Sequence, residues 1–149
     1  MTAIHTPSNS ECSDSPIDPS HHPFACQTAY LSLAILEKKG EEAFWAVHDE
    51  LYERGLLLDQ LAVLSIGRKH GLSDKELDEV LKKSKSGEGL EFQSRSSNLV
   101  GVGVLPFTLL NGFRITGYSE KWALLRVIEA ELDRKGLSLE DYAHPGKVR

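Results

Sequence analysis

Two cysteines, one proline in an apolar run, and a scatter of histidines and carboxylates are the residues of this chain with chemistry to offer. Cys26 falls in the first turn of an expected helix, where the helix N-terminus favours the nucleophilic thiolate. A single thiolate opens a substrate disulfide but needs a second thiol to resolve the mixed disulfide. Cys12 is the only other cysteine, and it can resolve only if the N-terminal segment folds back. The plainer reading makes Cys26 a small half-buried hydrophobe and Cys12 incidental. There is no Cys-x-x-Cys pair.

His21, His22, His48 with Asp49, and His70 suggest a metal site. Zinc needs three or four convergent ligands with supporting partners, and no paired His/Cys spacing or HExxH is present. No metal and no cofactor is therefore expected. His48 lies between Phe44 and Leu51 on an apolar stripe and reads as a core histidine with one hydrogen bond. Phe44, Trp45 and Trp122 read as core aromatics rather than a stacking site. Glu41, Glu42, Asp49, Glu50 and Glu53 read as a solvated helix face rather than an acid/base pair. Gly101-x-Gly103 precedes a strand, whereas phosphate loops open a helix.

The elements that must position these groups are bounded by composition. The 149 residues carry Lys+Arg 17 against Asp+Glu 22, a formal charge of −5. That balance argues against the clustered basic face of a nucleic-acid binder. No apolar run approaches the roughly 18–20 residues of a membrane span, so no membrane association is expected. Two cysteines are too few for a disulfide-rich scaffold. No basic start or apolar leader is visible, so the cytoplasm is the expected location, with thiols mostly reduced.

Residues 1–20 are rich in Ser, Pro and Asp and read as a mobile arm. Order is expected to begin near His22-Pro23-Phe24, with Pro23 in the first turn of a helix that Gly40 stops. A second helix spans about Glu41 to Arg54, with Phe44, Val47, His48 and Leu51 on one face. A third covers about Leu58 to His70, with Leu57, Leu61 and Leu64 as its apolar stripe. Ser73 and Glu76 have capping-box spacing and open a fourth helix that buries Leu77, Val80 and Leu81. The polar run KKSKSGEG reads as a loop, and a short helix is expected over about 90–99. Asn111-Gly112 joins two β-prone runs, the strongest short hairpin signal. Ser119 is the expected cap of a last helix carrying Leu125, Ile128 and Leu132, and Gly136 its stop. A lone hairpin is marginal in water, and no third strand is evident.

Two motifs carry a family resemblance. GVGVLPFTLLNGFRITGY, from Gly101 to Tyr118, resembles the cis-proline region of DsbA-like thioredoxin-fold proteins, through Gly101-Val102, Pro106, Phe107, Asn111-Gly112 and Gly117. HHPFACQTAYLSLAILEKKGEEAFWAVHDELY resembles their helical insertion, through His22-Pro23, Ala25, Phe44-Trp45, His48-Asp49 and Leu51. Gly71-Leu72 before an acidic helix fits the next landmark. The resemblance spans about residues 22 to 132.

The resemblance implies an α/β fold: an incomplete thioredoxin-like domain over 21–135, mostly helical insertion plus a β-hairpin and C-terminal helix, with a tail over 136–149. It implies a cis Pro106 preceded by Leu105, the two forming a substrate-binding edge, where relatives commonly have Thr or Val before the proline. The family activity is thiol–disulfide exchange. This chain lacks the Cys-x-x-Cys block that would precede His22, so an oxidoreductase inactive alone, or completed by another polypeptide, is one expectation. The second is a non-catalytic module that captures a protein or peptide partner, or a second copy, through the hairpin edge and helical insertion. The third is a one-cysteine redox protein working through Cys26. Missing central strands would leave apolar faces exposed and favour self-association.

Overall fold

The structure is a computed structural model and describes residues 7, 9–13, 18–87, 89–90, 93, 95, 99, 101 and 107–138. It is mixed α/β and mostly helical, with five helices and one two-stranded antiparallel sheet among the described residues. The chain divides into two compact units, residues 1–100 and 101–149. The division falls inside the span 21–135 that the resemblance assigns to one domain. No helix among the described residues is long and apolar enough to cross a membrane.

The first unit is helical. Helix α1 spans Ala25–Lys39, α2 Glu41–Arg54, α3 Gln60–Lys69 and α4 Asp74–Ser86. Helix α1 touches the other three and forms the middle of the unit. Its Leu31 and Ile35 are fully buried, together with Val47 of α2, Val63 and Ile66 of α3, and Leu77 and Val80 of α4. Burying a Leu, Ile or Val side chain stabilises a fold by about 1.5–3 kcal/mol. Gly67 is placed where α3 runs closest to its neighbours. A Cβ there would collide with Leu77 Cδ2 and lie 2.9 Å from Leu31 Cδ1.

The helix ends follow local chemistry. Gly40 accepts the turn between α1 and α2 at φ +87° and ties its N–H to the Leu36 carbonyl. Asp59 caps α3, its Oδ1 accepting the Ala62 N–H at 2.7 Å. The Ser73 capping box of α4 is complete in both directions.

Several expected details differ. Pro23 precedes the first helical residue, Ala25, instead of lying in the first turn. The buried stripe of α3 is Val63, Ile66 and Gly67, whereas Leu57 and Leu61 are exposed at 83% and 76%. Leu64 of the expected stripe is partly buried and packs against the core. The KKSKSGEG run is not a loop throughout. Helix α4 continues to Ser86 and stops at left-handed Gly87, because Ser84 is buried on its inner face and Lys83 and Lys85 suit the negative end of the helix dipole. Leu81 is only half-buried. The short helix expected over 90–99 lies largely outside the described residues.

The second unit holds β1, Phe107–Leu110, β2, Phe113–Thr116, and helix α5, Lys121–Arg134. The register pairs Leu110 with Phe113 and Phe107 with Thr116. Asn111 at φ +47° and Gly112 at φ +90° form the two-residue turn, the left-handed pair that matches strand twist. Phe107, Leu110, Ile115, Val127, Ile128 and Leu132 are half-buried. The buried residue of this unit, among those described, is Glu131. It accepts from Arg134 and, at 3.3 Å, from Asn111 Nδ2, while Arg134 lies over the Phe113 ring at 5.4 Å. The last helix is not capped by Ser119. Its N-cap is Glu120, without a side-chain cap bond. Trp122, expected in a core, is 63% exposed and takes Arg126 over its ring at 5.7 Å.

Candidate functional site

The described part of residues 7–13 does not form the free arm expected over 1–20. Asn9 and Cys12 are buried, and Cys12 Sγ is bonded to Cys26 Sγ across 14 positions, with 5.9 Å between the Cα atoms. Cys26 lies in the first turn of α1 and is 3% exposed, while Cys12 is 4% exposed. Neither cysteine is free. The site is built from a tight turn. Asn9 Oδ1 accepts the Glu11 N–H at 2.8 Å, and Asn9 Nδ2 donates to the His22 carbonyl at 3.0 Å. Ser13 Oγ lies 2.6 Å from the Pro7 carbonyl oxygen and 2.8 Å from that of Asn9. Gly87, at the end of α4, forms the seat: a Cβ there would lie 3.2 Å from the Glu11 oxygen and 3.4 Å from Cys12 Cα.

The chemistry expected of Cys26 changes accordingly. Its sulfur is bonded to that of Cys12, the fold-back that a resolving role for Cys12 requires, and both residues are covered. The reading of Cys12 as incidental also gives way, because Cys12 joins the hydrophobic core cluster. Sequence reasoning missed Asn9 and Gly87 as parts of this site. Gly87 falls inside the run read as a loop, and no local pattern marks Asn9.

Leu105 and Pro106, the expected substrate-binding pair, lie outside the described residues, as do Val102 and Val104. The strands that follow them are described. They form a two-stranded sheet without a third strand among the described residues, and Leu109 and Phe113 are half exposed.

The histidines do not converge. Among the described residues no three His, Cys, Asp or Glu side chains are placed to hold a metal ion. His70 lies 3.0 Å from Glu50 Oε2, which also accepts from Lys69 Nζ at 2.9 Å. His48 is not a core histidine with one hydrogen bond. Its side chain is 45% exposed, stacks on Tyr52 and meets the edge of Trp45, and its buried Nδ1 has no hydrogen-bond partner. The nearby Asp49 Oδ1, at 3.7 Å, is too far for one. Trp45 is half-buried, and its Nε1 donates to Glu41 at 3.3 Å.

A groove of about 190 Å³ runs between α1 and α4, with Tyr30, Leu33, Ala34 and Val80 as its apolar lining. The Lys38–Glu76 ion pair at 3.2 Å belongs to its rim. Glu76 is held down to about 2 by the Ser73 backbone N–H, the Ser73 hydroxyl and then Lys38. A carboxylate fixed this firmly in its ionised form is a poor proton donor or acceptor near neutrality. The groove therefore offers apolar contact rather than acid/base chemistry.

Compared with protein-family models, curated proteins and solved structures, the chain gives no match.

Proposed function

We propose that this chain is a DsbA-related, thioredoxin-like protein acting as a non-catalytic module that binds an extended protein or peptide segment, without thiol–disulfide exchange of its own. The observation that carries the reading is the burial of both sulfur-bearing residues, Cys26 at 3% and Cys12 at 4% exposure, which keeps a substrate disulfide from reaching either sulfur. A catalytic dithiol needs one exposed, low-pKa sulfur that a substrate disulfide can reach. The second support is the hairpin. Among the described residues the two strands pair with each other, and the edges of a two-stranded sheet offer N–H and C=O groups that an extended segment can pair with, including one from a second copy.

The test is a disulfide-exchange assay on the purified chain beside Cys26→Ser, together with light scattering of wild type and Leu109→Lys. The expected result is exchange no faster than background in both chains, and self-association that the edge lysine reduces. Exchange that disappears with Cys26→Ser would overturn the reading in favour of a redox protein working through that sulfur. Activity that appears only after adding a second polypeptide with a Cys-x-x-Cys would favour a split oxidoreductase.

A further inference from the structure

Residues 9–13 meet the helical unit at a covalent point. Cys12 is bonded to Cys26, Asn9 Nδ2 reaches the His22 carbonyl, and the Glu11–Cys12 backbone lies against Gly87. The surrounding sequence is rich in Ser, Pro and Asp, and such segments bury too little apolar surface to offset their ordering entropy. The bond makes closure of this segment intramolecular. Most of the hydrophobic core, including Leu31, Ile35, Val47, Val63, Ile66 and Leu77, comes from α1 to α4, and Cys12 is the residue of the segment that packs into it.

We infer that the Cys12–Cys26 bond is a redox latch. Oxidised, it clamps residues 9–13 over the start of α1 and the Gly87 end of α4. Reduced, it releases them and uncovers Cys26, the His22 carbonyl and the Gly87 seat. The reductant is a dithiol. Its thiolate attacks one sulfur of the bond, and the other leaves as a thiolate that takes up a proton. The donor's second thiol then displaces the mixed disulfide. Cys12 and Cys26 end as two thiols and the donor as a disulfide, so two electrons and two protons pass to the chain. Both sulfurs are covered, so the donor reaches them through local opening of residues 9–13, a motion cheaper than global unfolding. In a reducing compartment the segment is free, and in an oxidising one it is closed. The chain here receives electrons and catalyses nothing, so the inference stands apart from the binding reading.

The test is hydrogen exchange of the full chain read by mass spectrometry, with and without dithiothreitol, beside Cys12→Ser, Cys26→Ser and Cys26→Ala. Alkylation by iodoacetamide counts free thiols in the same samples. The untreated chain is expected to take no alkyl groups and the reduced chain two. Amides of residues 9–13 are expected to exchange at least about tenfold faster after reduction, while α1 to α4 keep their protection. All three variants are expected to show the fast segment without reductant. Unchanged protection of residues 9–13 on reduction would overturn the latch, because packing and not the bond would then hold them. Loss of protection throughout α1 to α4 would also overturn it and make the bond a structural staple. Two alkyl groups on the untreated, air-exposed chain would show that the bond does not form.

Discussion

Glu50 of α2 and His70, just past the end of α3, meet at 3.0 Å through Oε2 and Nε2. Lys69 Nζ reaches the same oxygen at 2.9 Å, and Arg54 lies 3.9 Å from Oε1. The Lys69 hydrogen bond, followed by that from His70, holds the Glu50 carboxyl below the usual carboxylate range against the opposing effect of burial. The cluster fastens α2 to α3 at a partly buried point. A carboxyl whose folded pKa is depressed contributes stability above its ordinary pKa of 4.5 and loses that contribution as pH falls through the folded value. Glu50→Gln is expected to cost about 1 kcal/mol or less at neutral pH, given solvent screening of the pair. Its loss relative to wild type should shrink further in acid, as read by urea unfolding at pH 7 and pH 3.

The Ser73–Glu76 capping box gives a second acid-sensitive point, at the start of α4. Ser73→Ala is expected to destabilise the protein by about 1 kcal/mol, the usual consequence of removing a side-chain N-cap. Glu76 is ionised in the folded state down to about 2, against an ordinary 4.5. Its contribution is therefore complete above pH 4.5 and lost as pH falls toward 2. Circular dichroism across that interval should show helix loss in wild type and a flatter profile in Glu76→Gln.

Gly67 tests the contact of α3 with α4. Gly67→Ala drives a methyl into Leu77 and close to Leu31, and overpacking of this kind costs about 1–3 kcal/mol. Leu77→Ala alone is expected to cost about 2–5 kcal/mol through the cavity it leaves. The double variant should lose less than the sum, because the new methyl occupies the vacated space. Chemical denaturation of the four chains checks the coupling.

In the hairpin unit, Asn111 holds φ +47° and donates to buried Glu131. Asn111→Ala gives up the hydrogen bond and places a residue less tolerant of the left-handed region there, at roughly 1–2 kcal/mol. The expected result is weaker cross-strand nuclear Overhauser effects between residues 107–110 and 113–116. The methyl signals of Leu31 and Ile35 should not change.

The parts of the fold legible in the sequence are those written within three or four residues. Ser73 and Glu76 form the box that their spacing predicts. Asn111-Gly112 makes the turn that two left-handed residues make best. Gly40 closes the helix it is expected to stop. The misreadings share a cause. Leu57 and Leu61 are apolar, but the face of α3 that docks on its neighbours carries Val63, Ile66 and Gly67, and docking is settled by packing rather than by local pattern. Ser84 is polar but buried, because the inner face of α4 continues past Leu77 and Val80. His48 sits on the stripe of Phe44 and Leu51, yet at its margin, where Tyr52 and not the core covers it.

By itself, the sequence determined the Gly40 stop, the Ser73–Glu76 start of α4, the hairpin turn, the acidic balance and the absence of a Cys-x-x-Cys. Each depends on backbone preferences, hydrogen bonds or charges that neighbouring residues settle among themselves. Only the tertiary structure decided that Cys12 reaches Cys26, that Asn9 is buried under the start of α1, and that Gly87 is a seat as well as a stop. Those relationships join a low-hydrophobicity segment to two helix ends far apart in the chain. They exist because α1 and α4 pack together and bring Cys26 and Gly87 within reach of one short segment, a property of the docked pair that neither helix's residues encode alone.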